Sequence, residues 1–183
     1  MSKYFIILSV FVSNILIAQN LKIGYVYEDY IIANFSETKN LQEEIKRNRE
    51  QLTSQLKEKS NLYQEKYATY QSMLQNVTNT TSEALNGTLK EIQTLREDFE
   101  QSRQKGEAEI RQVAQSKFLE IQEKVRKAIK LVSVEKGYPY IIRKNINPSG
   151  GESTSVLLYS AHEKQDDLTD AVLIKLGSTP PKK

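Results

Sequence analysis

The sequence predicts an α+β chain: a small β-sheet head assembled from both ends, carrying a long antiparallel α-helical hairpin. Three observations predict it. All four prolines (Pro139, Pro148, Pro180 and Pro181) fall near the C-terminus, and between Tyr25 and Lys136 only Gly87 and Gly106 interrupt. Apolar residues recur through that stretch at helical spacing. Short runs of β-formers sit on either side of it.

The N-terminus reads as an export signal. Lys3 supplies a positive start, Tyr4 to Ile17 form an apolar run, and Ala18 precedes Gln19-Asn20 as the cleavage junction. The alternative is a membrane anchor, but the run is shorter than the roughly 20 apolar residues that span a bilayer. Residues 1–18 are therefore expected to be removed. The net charge of +3 falls to +2 without Lys3, too balanced for nucleic-acid binding. With no cysteine in the chain, disulfides, thiol nucleophiles and thiolate metal sites are excluded. An exported chain of this kind depends on packing or assembly for its stability.

The hairpin is expected over residues 37–136. Its first apolar stripe runs Leu41, Ile45, Leu52, Leu56, Tyr63, Tyr67, Tyr70, Leu74, Val77, with Asn48 and Lys59 filling polar seam positions. The mean step is about 3.6, the period of a straight helix. The second stripe runs from Leu85 through Leu89, Ile92, Leu95 and Phe99 to Ile121, Val125, Ala128 and Val132. Between them, Asn76 to Ser82 is dense in Asn, Thr and Ser, whose side chains compete with helical backbone. A turn is placed there, with Thr80 and Glu83 at capping-box spacing. One continuous helix is the alternative, opposed by that cluster and by Asn86-Gly87. Gly137 follows Glu135-Lys136 as the glycine past a helix end.

The head is expected from residues 19–36 and 137–177, with 178–183 as a solvated tail. Leu21 to Tyr27 reads as a strand placing Ile23, Tyr25 and Tyr27 on one face. Tyr30 to Phe35 reads as a short apolar turn or helix, after which Ser36 caps the first arm. Tyr140–Arg143 and Val156–Tyr159 read as further strands joined through Pro148 and Gly150-Gly151. A last helix starts at Asp167 as N-cap and lays Leu168, Val172, Leu173 and Leu176 on one face. So small a core is marginal alone, and its short strands leave edges that invite partners. Oligomerisation through the sheet is the simplest remedy.

The order of these pieces resembles the Skp (OmpH-like) periplasmic chaperones. The resemblance is carried by Lys22-Ile-Gly-Tyr-Val-Tyr27, Tyr30-Ile-Ile32, the proline-free charged hairpin, Gly137-Tyr-Pro-Tyr-Ile-Ile142, Val156-Leu-Leu-Tyr159 and Asp167-Leu-Thr-Asp-Ala-Val172. It implies a homotrimer whose heads form a barrel-like body and whose hairpins hang as tentacles around a cavity. It also implies a periplasmic holdase that binds unfolded outer-membrane proteins without ATP. In one respect the chain departs from the family pattern. The well-studied members have strongly basic tentacles, whereas residues 41–136 here hold 17 Lys and Arg against 15 Asp and Glu. The tip, residues 68–95, holds only Lys90 against Glu83 and Glu91. Lipopolysaccharide contact is therefore not carried over to any residue, and membrane contact is not indicated.

A holdase needs many weak contacts rather than a catalytic constellation. The candidate client-binding residues are Tyr63, Tyr67, Tyr70, Met73 and Leu74, adaptable apolar area with hydroxyl tips. For Tyr63 and Tyr67 the helical periodicity favours filling of the seam against Leu89, Ile92 and Phe99 over client contact. Ile23, Tyr25, Tyr27, Ile141, Leu157 and Tyr159 are expected in the head core and the trimer contacts. The basic patches Lys46-Arg47/Arg49 and Lys124/Arg126-Lys127/Lys130 read as solvated faces balanced by Glu43, Glu44, Glu120 and Glu123. His162 with Glu163, Asp166 and Asp167 is a poor metal set, one imidazole among flexible carboxylates. No cofactor is expected, and no nucleophile, phosphate loop or ligand set argues for an enzyme. The competing reading is a structural adaptor of the cell envelope.

Overall fold

A computed structural model describes residues 21–76, 78, 80–144 and 160–181. The elements run β1 (Ile23–Val26), α1 (Glu28–Asn34), α2 (Ser36–Gln75), α3 (Ser82–Lys136), β2 (Tyr140–Arg143), α4 (Glu163–Asp166) and α5 (Thr169–Lys175). The chain is mostly helical, with a small two-stranded sheet. The signal segment, the expected strand Val156–Tyr159 and the loop before it lie outside the described residues.

At 1.5 Å per residue, α2 with 40 residues and α3 with 55 reach roughly 60 and 80 Å. Partners across the pair run in opposite numerical order: Glu37 with Lys124, Glu44 with Lys117, Lys59 with Asp98, Lys66 with Glu91. This is the pairing of a helical hairpin. The helix breaks between Gln75 and Ser82, but the cap is Thr81, whose hydroxyl accepts from the Ala84 amide at 3.2 Å. The expected cap, Thr80, instead donates back to the Asn76 carbonyl at 2.9 Å. At the other end Gly137 adopts φ 70°, a left-handed conformation open to glycine at little cost. Its amide closes on the Ser133 and Val134 carbonyls.

The seam is tighter than the sequence stripe suggests. Of the half-buried positions toward the tip, Lys59, Tyr63, Lys66, Tyr70 and Met73 form one row with Ser60 beside it, while Tyr67 and Leu74 are 45% and 47% exposed. Steps there alternate four and three, a heptad rhythm in which the two helices stay in register by supercoiling. Lys66 stands in this row and its ammonium pairs with Glu91 at 2.7 Å, while Tyr67 falls outside it.

The core sits where the arm meets the sheet. Ile121, Val125, Ala128 and Val132 of α3 pack with Ile31 of α1, Phe35, and Leu168, Val172 and Leu173 at α5. These residues form one cluster with Val26, Leu41 and Tyr138. β1 pairs with β2 in parallel, Ile23 opposite Tyr140 through Val26 opposite Arg143. The crossover that parallel strands require is the whole hairpin. Simple in–out alternation fails in β1: Gly24, Tyr25 and Val26 are all buried while Ile23 is 40% exposed. The reason is cover on both faces. A Cβ at Gly24 would meet Leu168 Cδ1 at 3.0 Å and Tyr138 Cδ1 at 3.1 Å.

Two further helix starts differ from the sequence reading. Ser36 is the first residue of α2, with Phe35 at the N-cap, and its amide donates to Ser178 Oγ at 3.1 Å. Asp167 stands before α5 because it is held extended beside β1, bridged to Tyr25, with the Leu168 amide donating to the Tyr25 carbonyl at 3.0 Å. Its carboxylate accepts from the Thr169 amide at 3.0 Å, and Leu168 takes the N-cap position.

Candidate functional site

The tip half of the arm has two unlike edges. At about 100° per residue, Lys59 and Lys66 flank Tyr63 on one side of α2, and Ser60 and Tyr67 flank it on the other. The first edge is bridged by ion pairs, Lys59 to Asp98 and Lys66 to Glu91. The members of each pair repeat at seven residues on both helices. On the second edge Ser60, Tyr63, Arg96 and Phe99 line a groove of about 260 Å³. Tyr67 extends it by stacking on Tyr63, ring centroids 6.1 Å apart and planes within 12°. Arg96 has no ion-pair or hydrogen-bond partner among the described residues. Arg103, two turns on, is fully engaged within α3, with Glu100 at 2.6 Å and Glu107 at 2.9 Å. That contact holds the Glu100 carboxyl down at about 2, chiefly through its hydrogen bonds to Arg103 and then Gln104.

Of the proposed contact residues, Tyr63, Tyr70 and Met73 are half-buried against the seam, Met73 accepting from the Thr88 hydroxyl at 3.5 Å. Tyr67 and Leu74 face outward, together with Leu62 (45%) and Leu89 (38%). Leu62 was not singled out in the sequence, and Leu89 was expected in the seam; which residues are exposed is set by how the two helices pair and not by residue type. Arg96 carried no signal there either. It stands out only once the neighbouring charges are seen to be paired.

In the head, Tyr25 is buried, Tyr27 and Ile141 are half-buried, and Ile23 lies at the exposed strand end. Leu157 and Tyr159 fall outside the described residues. Tyr25 donates to the Glu163 carbonyl at 3.0 Å and meets Tyr27 edge-on, centroids 5.8 Å apart. Lys144 lies over both rings, 4.8 and 5.4 Å from their centroids. Burial, then the nearby Asp167 and Glu163, pushes the Tyr25 phenol up to about 12. Around His162 the acids are engaged in structure: Asp166 accepts from Tyr138 at 3.2 Å and from Ser160 at 2.5 Å. The basic patches on the arm are largely solvent-facing pairs, such as Arg47 with Glu43 and Arg126 with Glu123.

No helix among the described residues is long and apolar enough to cross a membrane. A search of curated proteins finds no match to the chain. The OmpH family, described as outer membrane protein (OmpH-like), matches residues 22–176. That span takes in both strands, the whole arm and the closing helix. The chain belongs to the OmpH-like family, whose members are periplasmic chaperones that bind outer-membrane proteins and are not enzymes.

Proposed function

We propose that the protein is an ATP-independent periplasmic holdase that keeps unfolded outer-membrane-protein precursors from aggregating. In this reading residues 1–18 are cleaved. Residues 19–36 and 137–177 form a trimerisation head with a barrel-like body, and the antiparallel hairpins of three chains enclose a client cavity. Ile23, Tyr25, Tyr27, Ile141, Leu157 and Tyr159 serve the head and its subunit contacts. Tyr63, Tyr67, Tyr70, Met73 and Leu74 serve client contact.

The observation that carries this reading is the division of labour along the chain. Buried apolar residues concentrate at the base, near which Leu131, Val134, Tyr140 and Ile174 are exposed and suit subunit contact. The tip half of the arm buries only Ile92 among the described residues and leaves Leu62, Tyr67, Leu74 and Leu89 exposed. At about 25 cal/mol per Å² of apolar area, each such side chain gives on the order of 1–2 kcal/mol when a client covers it. One contact is then negligible, whereas several together reach the roughly 8 kcal/mol of micromolar binding. Binding of that kind is reversible without a nucleotide, and it leans on apolar and aromatic contact more than on long-range charge.

The test is dilution of a urea-unfolded β-barrel membrane protein into buffer containing the purified mature chain. The client should stay soluble at about one trimer per client. Aggregation across a panel of such clients, with the trimer intact, would sink the proposal.

A further inference from the structure

We propose that the client is held on one edge of the arm, the one formed by Ser60, Tyr63, Tyr67, Arg96 and Phe99. The segment it takes is extended polypeptide with an aromatic or large aliphatic side chain beside a carboxylate. This rests on the holdase reading above and adds to it a direction and a preference.

The occupant follows from the groove's chemistry. Its walls are the rings of Tyr63 and Phe99, and its volume of about 260 Å³ lies below the range of small-molecule pockets, which suits a single side chain. Tyr67, stacked on Tyr63, continues the aromatic surface along the chain direction. The rim carries the free guanidinium of Arg96, whose planar donors match a carboxylate. Three other cations of this part of the arm are engaged: Lys59 on Asp98, Lys66 on Glu91, Arg103 on Glu100 and Glu107. A client carboxylate therefore finds its partner at Arg96, next to the aromatic walls.

The opposite edge is the competitor, because Leu62, Gly87, Lys90 and Leu95 line a larger groove of about 490 Å³ there. Lys66 and Glu91 line that groove as well, and they are paired with each other. A segment entering deeply must break that pair or lie over it. On the Tyr63 edge no bridge between the helices has to be opened.

Leu62 and Tyr67 are equally exposed, 45% each, so exposure alone predicts equal client contact at the two. The test places a photo-reactive p-benzoylphenylalanine at position 67 or position 62 of the intact chain, loaded with an unfolded β-barrel protein. Cross-linking from position 67 should exceed that from 62 by about fivefold. Equal or reversed yields overturn the proposal. In a second measurement, two fluorescent peptides differ only in Phe-Asp against Phe-Lys. The wild type should prefer Phe-Asp, and Arg96→Gln should weaken that peptide by about threefold, the scale of one exposed charge contact, while Lys90→Gln leaves it unchanged. A loss confined to Lys90→Gln also overturns the edge assignment. If the wild type holds no client at all, both readings fall; if it holds client with no edge preference, only this one does.

Discussion

Leu52 occupies the space that a side chain at position 106 would need: a Cβ on Gly106 would lie 2.4 Å from Leu52 Cδ1. The glycine lies deep inside α3, where it costs about 1 kcal/mol relative to alanine in helix propensity. Gly106→Ala alone should destabilise the arm by about 1 kcal/mol, because the clash outweighs the propensity gain. In a Leu52→Ala background the same change should stabilise by up to about 1 kcal/mol. Denaturant unfolding of the four variants gives the coupling, and additivity would show that the close approach has no energetic consequence.

Ile31 is completely buried and Ile174 is 64% exposed, although both are isoleucines in the short helices of the head. Ile31→Ala should cost about 2–5 kcal/mol, as emptied core positions do. Ile174→Ala should stay within about 0.5 kcal/mol in the isolated chain. A large loss at Ile174 in the assembled protein, absent on dilution to monomer, would instead mark it as a subunit contact.

The buried phenol of Tyr25 makes stability fall in alkali. Its folded pKa is raised from 10.0 to about 12, so the neutral form is favoured by folding. That stabilisation is fully present below pH 10 and is lost as the pH rises from about 10 to 12, where the unfolded chain ionises first. Across this window the wild type should lose stability more steeply than Tyr25→Phe, by the equivalent of one proton. Parallel curves would show that the phenol is not protected.

Thr81 and Thr80 are adjacent and chemically identical, yet only Thr81 holds the Ala84 amide. Thr81→Ala should cost about 1 kcal/mol of local helix stability and speed hydrogen exchange in the first turn of α3. Thr80→Ala should leave that turn's protection unchanged. Equal effects would place the cap elsewhere.

Removing the tip from about Thr69 to Thr94 leaves the base core intact, since all members of that cluster lie outside the deletion. The shortened chain should keep a trimer mass in light scattering and hold clients less well. Loss of the trimer would mean that assembly uses the arms.

The turn of the hairpin and the Gly137 end of α3 were legible in the sequence, whereas the N-caps were not: Thr81, Phe35 and Leu168 stand where Thr80, Ser36 and Asp167 were expected. Gly137 and the Asn/Thr cluster act through local backbone preference, which no distant contact has to supply. The core-facing row Ile121, Val125, Ala128 and Val132 was equally visible, because its spacing survives in any helix. What escaped was decided by neighbours far away in the chain. Asp167 is pulled out of the cap by β1, and Gly24 is covered by Leu168 and Tyr138. Tyr67 lies outside the half-buried row, whose four-three steps pass through Lys66 instead. The candidate site divides the same way: its tyrosine row was visible as a row, but its facing and the free charge of Arg96 emerge only from the pairing of two helices.

The two feet of the hairpin stand side by side on one core. Phe35 opens α2 there, Val132 lies in the closing turns of α3, and Tyr138 follows. Arm length is consequently an independent dimension of the molecule. Excising seven residues from each helix at facing positions preserves the heptad register and shortens the reach by about 10 Å, leaving the base unaware of the change. The protein is built like a caliper with a fixed pivot and adjustable jaws, so gauge can be tuned to cargo size without redesigning what holds the instrument together.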